Sequence, residues 1–255
     1  MRRSSRSSAR LGGGARRPVI RRYLPPQHGA WAMLAVPHLA GVLVAGWSWP
    51  AAPLAGAWLS GYLLSYYVFL AVKTRRPSRW HQQMVVYAAV ATPLAAVVTV
   101  ARPAVLWYAP LYALLLAINA WYAWRRHERA LLNDLASVVQ SCLMVFLVAA
   151  VARVDVAEVA GVFVACAVYF AGTAVYVKTM IRERGRRGYR YASAGYHLAA
   201  LAAMSWYGPA MAGMFGLLLV RAAVLPGHGL TPKQVGLIEL VLSAFLLVAI
   251  VFTFA

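Results

Sequence analysis

Arg129, Asn133, Asp134, Lys178, Arg182 and Glu239 are the side chains here that could hold a polar ligand, with His28 as a seventh. Arg and Lys donate charge-assisted hydrogen bonds to phosphate or carboxylate, so Arg129, Lys178 and Arg182 suit an anion. Asp134 or Glu239 could orient a ligand or exchange a proton, Asn133 could donate and accept, and His28 would line an entry. The sequence has only six acidic residues. Ionisable groups in or beside apolar segments are costly, which makes each of them a functional candidate.

Spacing sharpens this set. From Arg125 to Gln140 runs the longest polar interruption that carries both charge signs. Arg125, Arg129 and Asn133 are four apart, Glu128 is three from Arg125, and Leu131, Leu132 and Leu135 are apolar. Residues at this spacing share a face if the segment is helical. With no Gly or Pro here, the pattern predicts a short interfacial helix. It would act as a lid over a headgroup or as an anchor at the interface. Lys178, Arg182 and Arg186 also repeat every four residues. They read as an anion-docking edge or as positive-inside topology.

Glu239 lies about a turn inside the last apolar segment, where a carboxylate needs a partner or a proton, and Arg221 across the preceding loop is its natural partner. His38, His197 and Asn119 lie within apolar segments and read as helix-to-helix hydrogen bonds. No His cluster has metal spacing, and there is no phosphate-cradling Gly-rich loop or Ser-centred elbow. Cys142 and Cys166 read as small packing residues.

The elements that must position these groups follow from composition. Of 255 residues, 62% are hydrophobic and only 12% charged, against about 25% charged in a soluble domain. Apolar runs near the ~20-residue length of a membrane span repeat to the last residue. They predict an all-α polytopic membrane protein with nine transmembrane helices. The spans begin near His28, Leu54, Met84, Val105, Ala136, Val159, Ala192, Pro209 and Val235. Residues 1–20 are Arg, Ser and Gly with little to bury, which predicts a disordered basic cytoplasmic tail. Residues 21–255 form one membrane domain.

The net charge of +19 could suggest nucleic acid, but its distribution points elsewhere. With the N-terminus inside and the C-terminus outside, 23 of the 25 Lys and Arg fall in the tail and the other inner segments. Only Arg102 and Arg153 fall outside. That is the positive-inside pattern of an inner-membrane protein facing anionic lipid, with no nucleic-acid partner and no indication of a protein partner.

Three stretches together resemble the YwiC-like family of bacterial membrane proteins: Pro26–Trp31, Glu128–Asp134 and Pro232–Glu239. The resemblance covers nearly the whole chain after the tail and implies no assigned activity. More distantly, the topology resembles the UbiA-type intramembrane prenyltransferases. That resemblance implies nine spans around a cytoplasmic-side chamber, with a basic segment at the position of Arg125 to Gln140. Those enzymes hold magnesium on a prenyl diphosphate with acid-rich motifs after spans two and six. Here the first place reads Lys73-Thr74-Arg75-Arg76-Pro77, with no acid, and the second offers only Glu183. Magnesium with diphosphate needs several carboxylate oxygens. The expectation is therefore a chamber without cofactor that binds a phosphorylated or isoprenoid lipid, as a divergent transferase. A transporter using His38, His197 and Glu239, or an accessory subunit, are the alternatives.

Overall fold

In the computed structural model the described residues are Tyr23 and 28–255, with side chains for Tyr23 and from Ala30 onward. The tail and the Pro25-Pro26 entry lie outside them. All regular structure among the described residues is helical. The helices are α1 His28–Ala45, α2 Ala51–Thr74, α3 His81–Ala101, α4 Ala109–Trp124, α5 Leu131–Cys142 and α6 Met144–Ala152. They continue as α7 Val156–Val177, α8 Arg187–Met204, α9 Pro209–Val224 and α10 Pro232–Phe254.

Local chemistry sets the breaks. Arg75 ends α2 in the left-handed region, at φ 55°, and Pro77 opens a short 3-10 turn before α3. Asp155 caps α7 by accepting from the Ala157 N–H at 2.8 Å. Thr231 and Gln234 form a reciprocal capping box at the start of α10, with Pro232 at its first turn. Each device satisfies backbone groups that a helix end leaves open.

Six helical segments are long and apolar enough to cross a membrane: Ala51–Thr74, His81–Ala101, Pro103–Trp124, Leu131–Ala152, Val156–Arg182 and Pro232–Phe254. Ala30–Ala45 and Pro209–Val224 are shorter and apolar. α8 starts with Arg187, Tyr189, Arg190 and Tyr191, which dilutes its hydropathy. This is the build of a multi-pass membrane protein. α5 and α6 continue one rod across a local kink at Leu143.

The rod at the centre is α7. It packs against α1, α5, α6, α8 and α10. Its inward face is small and apolar, with Val162, Ala165 and Cys166 fully buried. Cys142 opposite is equally buried, and both thiols are free. α2, α3 and α4 form a flank, where α3 buries only Gln83 and Val98 and exposes Val85, Val90, Val97 and Val100. Such a surface suits lipid rather than water.

Several sequence expectations change. The reversal after α4 is not an interfacial helix. Arg126 adopts a left-handed φ of 58°, and helix resumes only at Leu131. Arg125 and Arg129 therefore do not share a helical face with Asn133. Glu128 pairs with Lys73 rather than Arg125, whose guanidinium lies 5.3 Å from the rings of both Trp121 and Trp124. A charge on an aromatic face keeps both water and a favourable quadrupole, which competes well with an exposed i,i+3 pair.

The fourfold repeat of Lys178, Arg182 and Arg186 is likewise interrupted. Lys178–Arg182 form a π-helical turn, and Gly185 at φ 86° breaks the chain before α8. Arg186 lies outside that turn and binds Glu183 at 2.6 Å. His38 Nδ1 has no hydrogen-bond partner, so the expected helix-to-helix bond at that atom is absent.

Candidate functional site

The polar residues gather in two centres on either side of the C-terminal half of α7. The first lies where the 125–130 turn meets the end of α7. Lys178, only 7% exposed, places its Nζ 2.7 Å from Asp134 Oδ2 and donates to the Arg129 carbonyl at 2.5 Å. A buried ammonium requires such partners. Arg182 lies 4.0 Å from the same Asp134 oxygen, with its side chain 43% exposed. Asn133 Nδ2 donates to the Glu128 carbonyl at 3.0 Å and closes the turn from within.

A second tie anchors this turn to α2. Lys73 Nζ sits 2.7 Å from Glu128 Oε1. Partial burial pushes the Glu128 carboxyl up, but the Lys73 hydrogen bond and charge, a backbone N–H and nearby Arg129 together hold it below the usual carboxylate range. Behind the turn, Asn119 on α4 donates to Gln140 at 3.3 Å and accepts from Ser137 at 2.9 Å. These are the helix-to-helix bonds expected of Asn119. An open depression of about 460 Å³ is lined by Lys73, Arg126, His127, Glu128, Arg129 and Ala130.

Arg221 and Glu239 build the second centre, deeper between α7, α8, α9 and α10. Arg221 is 4% and Glu239 7% exposed. Arg221 Nη1 donates to both Glu239 oxygens, at 2.5 Å to Oε2. Thr173 donates to Oε2 at 2.9 Å, and Tyr169 donates to the Glu239 carbonyl at 3.1 Å. The Arg221 guanidinium also lies 4.0 Å from the centre of the Tyr176 ring.

His197 completes this centre in one tautomer. Its Nε2 is 3.0 Å from Arg221 Nη2 and its Nδ1 is 2.7 Å from the Ser193 carbonyl. A guanidinium can only donate and a carbonyl can only accept. Nε2 therefore accepts and Nδ1 carries the proton. The close approach depends on Gly172, where a Cβ would sit 2.9 Å from the Tyr196 ring and 3.2 Å from His197 Nε2.

Of the seven residues singled out in the sequence, the fold brings together Arg129 by its backbone, Asn133, Asp134, Lys178 and Arg182. Glu239 belongs to the other centre. His28 is the first residue of α1, and its side chain lies outside the described residues. α1 nevertheless reaches the same assembly, since Ser141 on α5 donates to the Met33 carbonyl and α1 packs against α10. Tyr169, Thr173 and Tyr176 were absent from the sequence set. Their signal is a polar stripe at four- and three-residue spacing on α7, which reads equally well as packing.

The family described as YwiC-like protein matches residues 24–149, which hold α1 to α5, the first part of α6, and Asp134. An uncharacterised protein YwiC of Bacillus subtilis is 33% identical over 229 residues, covering 88% of this chain and 95% of the relative. The chain belongs to the YwiC-like family. An uncharacterised protein of Haemophilus influenzae is 32% identical over 227 residues, covering 86% of this chain and 92% of the relative. No solved structure matches the chain. At 88% and 86% of the chain, both likenesses run beyond residue 149 of this YwiC-like protein.

Proposed function

We propose that this YwiC-like protein crosses the bacterial inner membrane nine times, N-terminus inside and C-terminus outside, and binds a phosphorylated or isoprenoid lipid at its cytoplasmic end. The observation that carries this reading is the Asp134–Lys178 pair. It pins the 125–130 turn to the end of α7, while Arg129 and Arg182 remain exposed beside it. Exposed guanidiniums on a fixed frame at an interface suit a phosphate headgroup. Asp134 orients Arg182, and the arrangement is UbiA-like in plan.

The places where UbiA-type enzymes hold magnesium do not fit a metal here. The end of α2 carries only Lys73, Arg75 and Arg76, and Glu183 after α7 is bound to Arg186. Among the described residues no three His, Cys, Asp or Glu gather as metal ligands. The headgroup is therefore held by Arg and Lys.

Lipid extracted from the purified protein and identified by mass spectrometry tests the reading. A phosphorylated or isoprenoid lipid should co-purify with the wild type and be lost from the Arg129→Ala, Arg182→Ala double variant. Equal lipid content in both would refute it. The buried Arg221–Glu239–His197 centre favours a second reading, transport, which requires uptake or efflux of a solute by reconstituted vesicles.

A further inference from the structure

The turn between α4 and α5 is built on an arginine where glycine would be cheaper. Arg126 holds the left-handed position just past α4, at φ 58°. Its N–H and that of His127 donate to the Ala123 and Tyr122 carbonyls, at 3.1 and 2.9 Å, and so close the helix. Glycine takes such a backbone without the Cβ clash that an L side chain meets. Arg75 and Arg153 occupy the same position after α2 and α6, where a cation complements the helix C-terminus. Arg126 in addition lines the open depression of about 460 Å³ whose walls include Lys73, Glu128 and Arg129.

Three permanent cations, Lys73, Arg126 and Arg129, thus share one hollow with one carboxylate, Glu128. Arg126 is exposed, and its guanidinium forms no ion pair among the described residues. Lys73 and Glu128 meet at 2.7 Å, with side chains 42% and 30% exposed. An ion pair that solvent reaches is weak and readily exchanged. A phosphoryl group carries more charge and more acceptor oxygens than a carboxylate, and it matches the guanidinium fork. It can therefore take Lys73 from Glu128 while pairing with Arg126 in the same hollow.

We propose that this depression is a site for a phosphoryl group, held by Lys73, Arg126 and Arg129, and that Glu128 is the resident anion it displaces from Lys73. The phosphoryl group belongs to a lipid headgroup or to a free phosphate. Arg129 is common to this site and to the headgroup reading. Lys73 and Arg126 belong to this site alone, and Arg182 to the other, so the site does not depend on that reading.

The test uses the full chain in phosphatidylcholine nanodiscs, with binding heats and thermal unfolding as readouts. All variants are made in the Arg182→Ala chain, which weakens the headgroup site and touches no wall of the depression. Inorganic phosphate, titrated at constant ionic strength against chloride, probes a free phosphate, and discs containing phosphatidic acid probe a headgroup. Binding in at least one arm is expected, and the arm that shows it names the source. Lys73→Met and Arg126→Gly should each weaken binding about tenfold, the loss of one charge-assisted contact. Arg126→Gly should not lower the melting temperature, because glycine suits the left-handed backbone, so its loss of binding reports the missing charge. Glu128→Gln should tighten binding about threefold or more by removing the competing carboxylate. No binding in either arm, a chloride signal equal to that of phosphate, unchanged affinity in the Lys73 and Arg126 variants, or binding no tighter in Glu128→Gln would overturn the proposal.

Discussion

Lys178 and Asp134 meet at 2.7 Å with the lysine almost wholly buried. The contact joins the end of α7 to the first turn of α5. Nothing else named at the first centre neutralises that ammonium, since the Arg129 carbonyl supplies a dipole and no charge. Asp134→Ala should therefore cost about 3–5 kcal/mol, the usual cost of stranding one member of a buried pair. Lys178→Met combined with Asp134→Leu should recover most of it. Unfolding in a mild detergent, followed by circular dichroism, reads both. An Asp134→Ala protein as stable as the wild type would mean that water reaches Lys178.

Gly172→Ala tests the seam between α7 and α8. The added methyl would press on the Tyr196 ring and on His197 Nε2. Overpacking of this kind costs about 1–3 kcal/mol. The expected signature is loss of the His197–Arg221 hydrogen bond, visible as a changed imidazole tautomer signal in nitrogen NMR. An unshifted His197 resonance would contradict the packing.

The Lys73–Glu128 tie carries a pH dependence of known sign. Glu128 is held below its ordinary carboxylate range, so its contribution is complete above that range. It is lost as pH falls through the depressed folded value. Protection of the 125–130 turn against hydrogen exchange, taken relative to the intrinsic rate at each pH, should fall on acidification below the usual Glu range. Lys73→Met should move the onset to higher pH. The partners are partly exposed, so only a local opening is expected, with no global unfolding.

Topology can be read with thiol reagents. Cys142 and Cys166 are free and fully buried, so both should be silent to membrane-impermeant maleimide. A cysteine at Arg126 should then be labelled only from the cytoplasmic side, and one at Arg153 only from the opposite side. Labelling of both from one side would exclude the nine-crossing topology.

Hydropathy and charge placement are local quantities, so they are legible along the chain. They determined an all-helical protein with apolar helices of membrane-spanning length, and they placed most helix boundaries within a few residues. The Arg221–Glu239 pair was legible as well, because two opposite charges beside one short loop in apolar surroundings have few other partners. The UbiA-like plan belongs to the resemblance, and the ends of α2 and α7 lack the acid-rich motifs of that plan.

Tertiary structure decided the rest. Lys73 chooses Glu128, and Lys178 chooses Asp134, only because the ends of α2 and α7 meet the turn that opens α5; no spacing within a single segment encodes that. The left-handed backbone at Arg126 replaced the expected interfacial helix, although residue types there are compatible with helix. Tyr176 and Ser193 look like ordinary packing in sequence. Both are fully buried in the bundle, with Gly172 permitting a close contact of α7 with α8 and Arg221 packed over the Tyr176 ring. Burial is a property of the assembled bundle, and no local pattern along the chain encodes it.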